Sequence, residues 1–217
     1  MPATPPRTST ASSTANSTAT RELLLDAGER MFAERGIHGV SLREIGLASN
    51  QRNNGVTQYH FGDKAGLIRA IFERRATAVN DRRLALLAEQ ELAGRNDVRA
   101  LIDAYVTPLA EQVAAGTWYV PFLSRLQAEH QRDELLQRAD DPVNTAYIHV
   151  RKRLRTDHLG DLSTEQFAIR WRLALNLAID ALADYQAQGV AEVRRRASLE
   201  TFRDELVGAI TAILTSA

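Results

Sequence analysis

Apolar side chains recur at helical spacing from about residue 20 to the end of this chain. Leu24, Ala27, Gly28, Met31 and Phe32 share one face of a first helix, because residues three and four apart lie on the same side. Thr20 stands at an N-cap position and Gly36 at the C′ position that favours glycine. "SLRE", residues 41 to 44, reads as a capping box opening a short second helix, with Leu42, Ile45 and either Leu47 or Ala48 on its buried side. A third helix of about two turns is predicted from Asn54 to His60, with Val56 and Phe61 at its buried edge and Tyr59 or His60 beside them. Asp63 caps a long fourth helix carrying Leu67, Ile68, Ile71, Phe72 and Val79.

Past residue 93 the period stays helical. Asp97 caps one segment that Gly116 ends. Pro121 sits near the first turn of the next, and a further helix runs to Gly160. A Ser163 to Gln166 capping box opens another helix, which stops at Gly189, and the last spans roughly 198 to 214. No stretch alternates with period two, so an all-α fold is expected. Residues 1–19 are mostly Ser, Thr, Ala and Pro, with almost nothing to bury, and are expected to form a disordered tail.

Composition removes whole function classes. The absence of cysteine excludes disulfides, thiolate catalysis and Cys-based zinc sites. No apolar run reaches the length of a membrane span, and the N-terminus lacks an apolar signal segment. A cytoplasmic protein with no membrane partner is therefore expected. No nucleophile elbow, metalloprotease motif or phosphate loop occurs, which argues against an enzyme. Formal net charge is zero, yet residues 1–75 hold ten cations against seven anions.

Between the second and fourth helices lies "SNQRNNGVTQYHFGDK", residues 49 to 64, whose clearly apolar side chains are Val56, Tyr59 and Phe61. Three short helices with a capped second and a polar third suggest a helix-turn-helix. A recognition helix keeps one edge on its own domain and offers the other to the major groove. Arg52, Asn53, Asn54, Thr57, Gln58 and His60 supply the required donors and acceptors. The plainer alternative is a solvated turn between two helices, against which stands the scarcity of acidic residues here.

The segment from Leu23 to Arg75 resembles the DNA-binding domain of the TetR/AcrR family of transcriptional regulators. The resemblance rests on "AxxxxFAExG" from Ala27 to Gly36, then "VSLREI", then "YHFGDKAGLI". It implies a three-helix DNA-binding domain over 20–66 and a helical regulatory and dimerisation domain over 67–217. Ser41 and Arg43 would contact phosphates, Asn54, Thr57 and Gln58 would face bases, and Tyr59, His60 and Lys64 would hold the DNA backbone. Gln58 is the prime candidate for direct readout, because Gln pairs bidentately with adenine. The turn is one residue longer than the family's usual "GVSxGTLYxHF" pattern, and Gln58 occupies the position where that pattern has Tyr.

The later helices hold most of the aromatic residues. In the resembling fold such helices surround a ligand pocket, so Tyr105, Trp118, Phe122, Leu126, Tyr147, Trp171 and Asn176 are candidates for an unidentified small-molecule effector. Plain core is the other reading of each. The histidines share no metal-ligand spacing, so no metal or other cofactor is expected. The last two helices carry more apolar surface than one packing face needs, which points to a homodimer through Ala174, Ala178, Leu182, Leu206, Ile210 and Ile213. The expected function is a ligand-responsive repressor released from a palindromic double-stranded DNA operator. The alternative is a helical interaction module that does not bind DNA.

Overall fold

The computed structural model describes residues 9–50, 55–129, 142–188 and 197–216, with side chains from Asn16 onward except at Pro142. Every described element is helical: α1 (Ser9–Arg35), α2 (Leu42–Ala48), α3 (Val56–Phe61), α4 (Lys64–Leu92), α5 (Val98–Ala114), α6 (Tyr119–Ala128), α7 (Thr145–Arg153), α8 (Thr164–Gln188) and α9 (Leu199–Thr215). A 3-10 turn at Pro142–Asn144 precedes α7, and a π-helical turn at Leu154–His158 follows it. No strand occurs among the described residues, in keeping with the all-α expectation. The chain divides into two compact units, 1–71 and 72–217, with the boundary inside α4.

The first helix corrects the expected tail. It begins at Ser9, so Thr20 is an interior residue and not a cap. Once the turns around Leu24 and Leu25 are packed, adding a further residue carries no nucleation cost. The Ser, Thr and Ala run before them contains no Pro or Gly after Pro6. Residues 16–19 are exposed, so this extension adds helix without adding core. Residues 1–8 lie outside the described residues.

In the N-terminal unit, Leu24, Leu25 and Phe32 of α1 are buried together with Ile37, Val40, Ile45, Leu67 and Ile71. Gly28 allows a close approach of α4: a Cβ there would stand 3.0 Å from Ile71 Cδ1 and 3.3 Å from Leu67 Cδ2. Gly36 adopts φ 77°, and its N–H donates to the Phe32 carbonyl, ending α1 in the left-handed conformation that glycine tolerates. The Ser49 hydroxyl donates to the Leu23 carbonyl at 3.2 Å, fastening the end of α2 to α1.

The C-terminal unit is built around α5, which packs against α6, α7, α8 and α9. The Asp97 carboxylate accepts from the Ala100 N–H at 2.8 Å, a cap worth about 1 kcal/mol. Pro108 inside α5 has no N–H to give to the preceding turn. Nearby, the Arg83 side chain reaches across from α4, and its Nε donates to the Tyr105 carbonyl at 3.2 Å. Asn80, also on α4 and buried, accepts from the Ala146 N–H at 2.8 Å and so fixes the start of α7. The Ser163 capping box is present in both directions, with the Ser163 N–H donating to Gln166 at 2.8 Å and Gln166 N–H returning to the hydroxyl at 3.1 Å. Arg170 donates to the Leu214 and Ser216 carbonyls, satisfying the C-terminal end of α9.

Candidate nucleic-acid interface and helical-domain cavity

The short helix α3 has two distinct edges. Gln58 and Tyr59 are exposed, with Gly55 and Gly62 continuing the same side at helical spacing. Tyr59 is 83% exposed, which removes it from the core. Its ring meets His60 edge to face at 5.2 Å between centroids. The Gln58 side chain makes no hydrogen bond among the described residues, so both its donor and its acceptor are available. His60 is half-buried.

Thr57 corrects the sequence reading. It is completely buried, and its hydroxyl finds no hydrogen-bond partner. A Cβ on Gly46 would come within 3.2 Å of that hydroxyl, so α2 and α3 cross where both side chains are small. Thr57 therefore packs the helix-turn-helix together and does not face bases. The period of a helix explains this, since Thr57 lies on the side opposite the Gln58 and Tyr59 edge. Arg52, Asn53 and Asn54 fall outside the described residues.

At the start of α2, the Ser41 backbone N–H and hydroxyl both donate to Glu44 Oε2, at 2.9 and 2.7 Å. The Glu44 N–H returns to the Ser41 oxygen at 3.3 Å. Arg35 binds the other carboxylate oxygen at 2.7 Å and also donates to the Gly39 carbonyl. The Ser41 hydroxyl, then Arg35, then the Ser41 N–H lower the Glu44 pKa from 4.5 to about 2. Ser41 is thus engaged in capping, although it remains exposed. Arg43 is exposed and has no carboxylate partner among the described residues. Lys64 opens α4 with its ammonium 6.0 Å from the centre of the Phe32 ring, again with no carboxylate partner among the described residues. Among the described polar groups of this unit that the fold leaves unoccupied are Gln58, Arg43 and Lys64, the types that read bases and bind phosphates.

The C-terminal unit contains a cavity of about 30 Å³ between α4, α5, α6, α7 and α8. Of the seven effector candidates, Tyr105 and Tyr147 line it. Trp171 stands one layer behind, donating from its indole to the Tyr147 hydroxyl at 3.1 Å and meeting Tyr105 edge to face at 5.8 Å. Phe122 and Leu126 are fully buried core residues of α6. Trp118 is 39% exposed at the start of α6, and Asn176 is half-buried on α8. None of these four lines the cavity.

Arg83 is the cavity residue the sequence reading missed. It is only 8% exposed, lines the cavity, and lies over the Tyr105 ring at 4.2 Å. No carboxylate pairs with it among the described residues. The only sequence cue was an Arg between Arg82 and Leu84 in a helix rich in charge, and such residues are usually solvated. A second hollow, an open groove of about 390 Å³, runs between α7 and α8 beside Arg151, Lys152 and Arg155. Its cations lie on the "VRKRLR" run, and the Arg151 and Arg155 guanidiniums stand 5.9 and 5.7 Å from the Phe167 ring.

The dimer-interface candidates need revision as well. Ala174, Ala178, Leu182, Leu206 and Ile210 are buried within a single chain, in which α8 packs on α5, α6 and α9, and α9 packs on α5 and α8. Ile213 is half-buried. The large apolar side chains that α8 leaves exposed are Ile169 and Leu173, at 44% and 50%.

No curated protein matches the chain. Residues 24–71 match the family described as bacterial regulatory proteins, tetR family. The matched segment contains α2, α3 and the packed part of α1, and ends where the N-terminal unit ends. Over residues 24–71 the chain thus carries the DNA-binding helix-turn-helix domain of the tetR family of bacterial regulatory proteins.

Proposed function

We propose that this protein is a repressor that binds a palindromic operator as a homodimer and is released by a small molecule bound in its C-terminal unit. The observation that carries the DNA-binding part is the unoccupied edge of α3, where Gln58 is exposed and Thr57 fastens the opposite side to Gly46. A rigid helix with one free amide is suited to reading a base pair in the major groove. Arg43 and Lys64 supply phosphate contacts that set register without sequence preference.

Ligand response is supported by the aromatic cavity around Tyr105 and Tyr147. At about 30 Å³ it has room for about two waters as folded. A typical small-molecule site is roughly 300–1,000 Å³. The effector therefore selects a more open arrangement of the helical unit, and it can displace DNA only by favouring that arrangement over the DNA-binding one.

Fluorescence anisotropy with DNA from immediately upstream of the protein's own coding region tests the proposal. Sequence-specific binding with two chains per duplex is expected. Equal affinity for that DNA and for a scrambled duplex would overturn the repressor reading and favour a helical interaction module.

A further inference from the structure

We propose that Arg83 is the anchor for the carboxylate of a small aromatic acid, which defines the chemical class of the effector. This inference rests on the ligand-response reading above and specifies its site. A guanidinium largely withdrawn from water favours a compensating partner, ordinarily a carboxylate. Arg83 is buried, yet among the described residues its partners are one backbone carbonyl, through Nε, and one aromatic face. The Nε contact leaves the two terminal nitrogens without a hydrogen bond among the described residues, and those nitrogens form the fork that matches a carboxylate bidentately. The Tyr105 ring below the guanidinium fixes the plane of the fork.

The rest of the wall sets what is attached to the carboxylate. Phe72, Tyr105, Tyr119 and Tyr147 bring four rings to the cavity, and Leu109 and Ile179 add aliphatic surface. Such walls favour a flat apolar body that stacks or packs edge to face. A neutral ligand would leave the guanidinium without a charged partner, and Arg83 is the one cation among the described lining residues, so a second anionic group would meet no opposite charge. The site is thus suited to a monocarboxylate carrying one aromatic ring. Because the cavity is small as folded, the ring enters as the site opens, while the existing space receives the carboxylate end.

Isothermal titration of the full chain with benzoate, phenylacetate and the corresponding neutral amides tests this. At least one acid should bind about tenfold or more tightly than its amide, the worth of a charge-assisted hydrogen-bond pair. Arg83→Gln should bring acid and amide to parity. Arg151→Gln, in the separate basic groove, should leave the difference intact. If Arg83→Gln fails to fold by circular dichroism, Ala76→Leu takes its place, since Ala76 lines the same cavity and the larger side chain fills it. That variant should lose the acid. The anchor assignment is overturned if no acid binds at millimolar concentration, if acid and amide bind alike, if the preference moves with Arg151, or if Ala76→Leu binds as the wild type does. Operator release is read separately by anisotropy. An acid that binds through Arg83 without releasing DNA keeps the anchor and defeats ligand-controlled repression. Operator binding with no acid bound does the reverse.

Discussion

Gln58 and Lys64 are expected to fail in different ways when truncated, because one reads and the other only holds. Gln58→Ala should leave the fold intact, since its side chain is exposed and unbonded. It should relax preference at one base position at a cost of about 1–3 kcal/mol. Lys64→Ala should weaken binding to specific and random DNA alike and reduce the salt slope by about one unit. Salt-dependent anisotropy on both duplexes separates them, and identical behaviour of the two variants would sink the recognition-helix assignment. Thr57 supplies a third outcome. Its hydroxyl is buried and unpartnered, so Thr57→Val exchanges a polar atom without a partner for a methyl group of similar size. The variant should be unchanged or more stable by up to about 1 kcal/mol, with operator affinity preserved. A loss of base preference in Thr57→Val would return that residue to the DNA face.

At the scale of elements, the legible features were those with a local physical cause. The capping boxes at Ser41 and Ser163, the Asp97 cap and the left-handed Gly36 are settled by residues within one turn of each other, and all are present. What was not legible depended on partners distant in sequence. The start of α1 moved to Ser9 because a packed helix extends through residues that would not nucleate one. Thr57 and Gln58 are neighbours of similar polarity, and only the approach of Gly46 decides which of them is buried. Arg83 looked like any surface arginine until α5, with Pro108 in its middle, brought the Tyr105 carbonyl to it.

The capping box at α2 also predicts a pH dependence. Glu44 titrates at about 2 in the fold and near 4.5 when unconstrained. A depressed carboxylate pKa contributes stability that is fully present above the unfolded value and is lost as pH falls through the folded one. The contribution of Glu44 should therefore fade between pH 4.5 and about 2. Glu44→Gln keeps an acceptor near Ser41 but removes the charge that Arg35 binds. Urea midpoints measured across that window should fall less steeply for the variant than for the wild type. Parallel curves would show that the box contributes no linked protonation.

For the whole molecule, the burial pattern of α8 and α9 relocates the proposed dimer contact. Leu206 and Ala178 are core residues of a single chain, whereas Ile169 and Leu173 remain open on α8. A charge at Leu206 should unfold the helical unit, because it would be buried without a partner. A charge at Leu173, half exposed, should leave the monomer folded and oppose a second apolar face brought against it. Two linked recognition helices bind a palindrome cooperatively, since the second half-site contact is intramolecular once the first is made. Leu173→Arg should therefore sediment as a folded monomer and lose about 10²–10⁴-fold in operator affinity, with single half-site binding retained. Leu206→Arg should instead lose its helical signal. A Leu173→Arg protein that still sediments as a dimer and holds the operator at wild-type affinity would exclude this face of α8. Joining sedimentation with circular dichroism distinguishes a lost interface from a lost fold, which a DNA-binding assay alone cannot do.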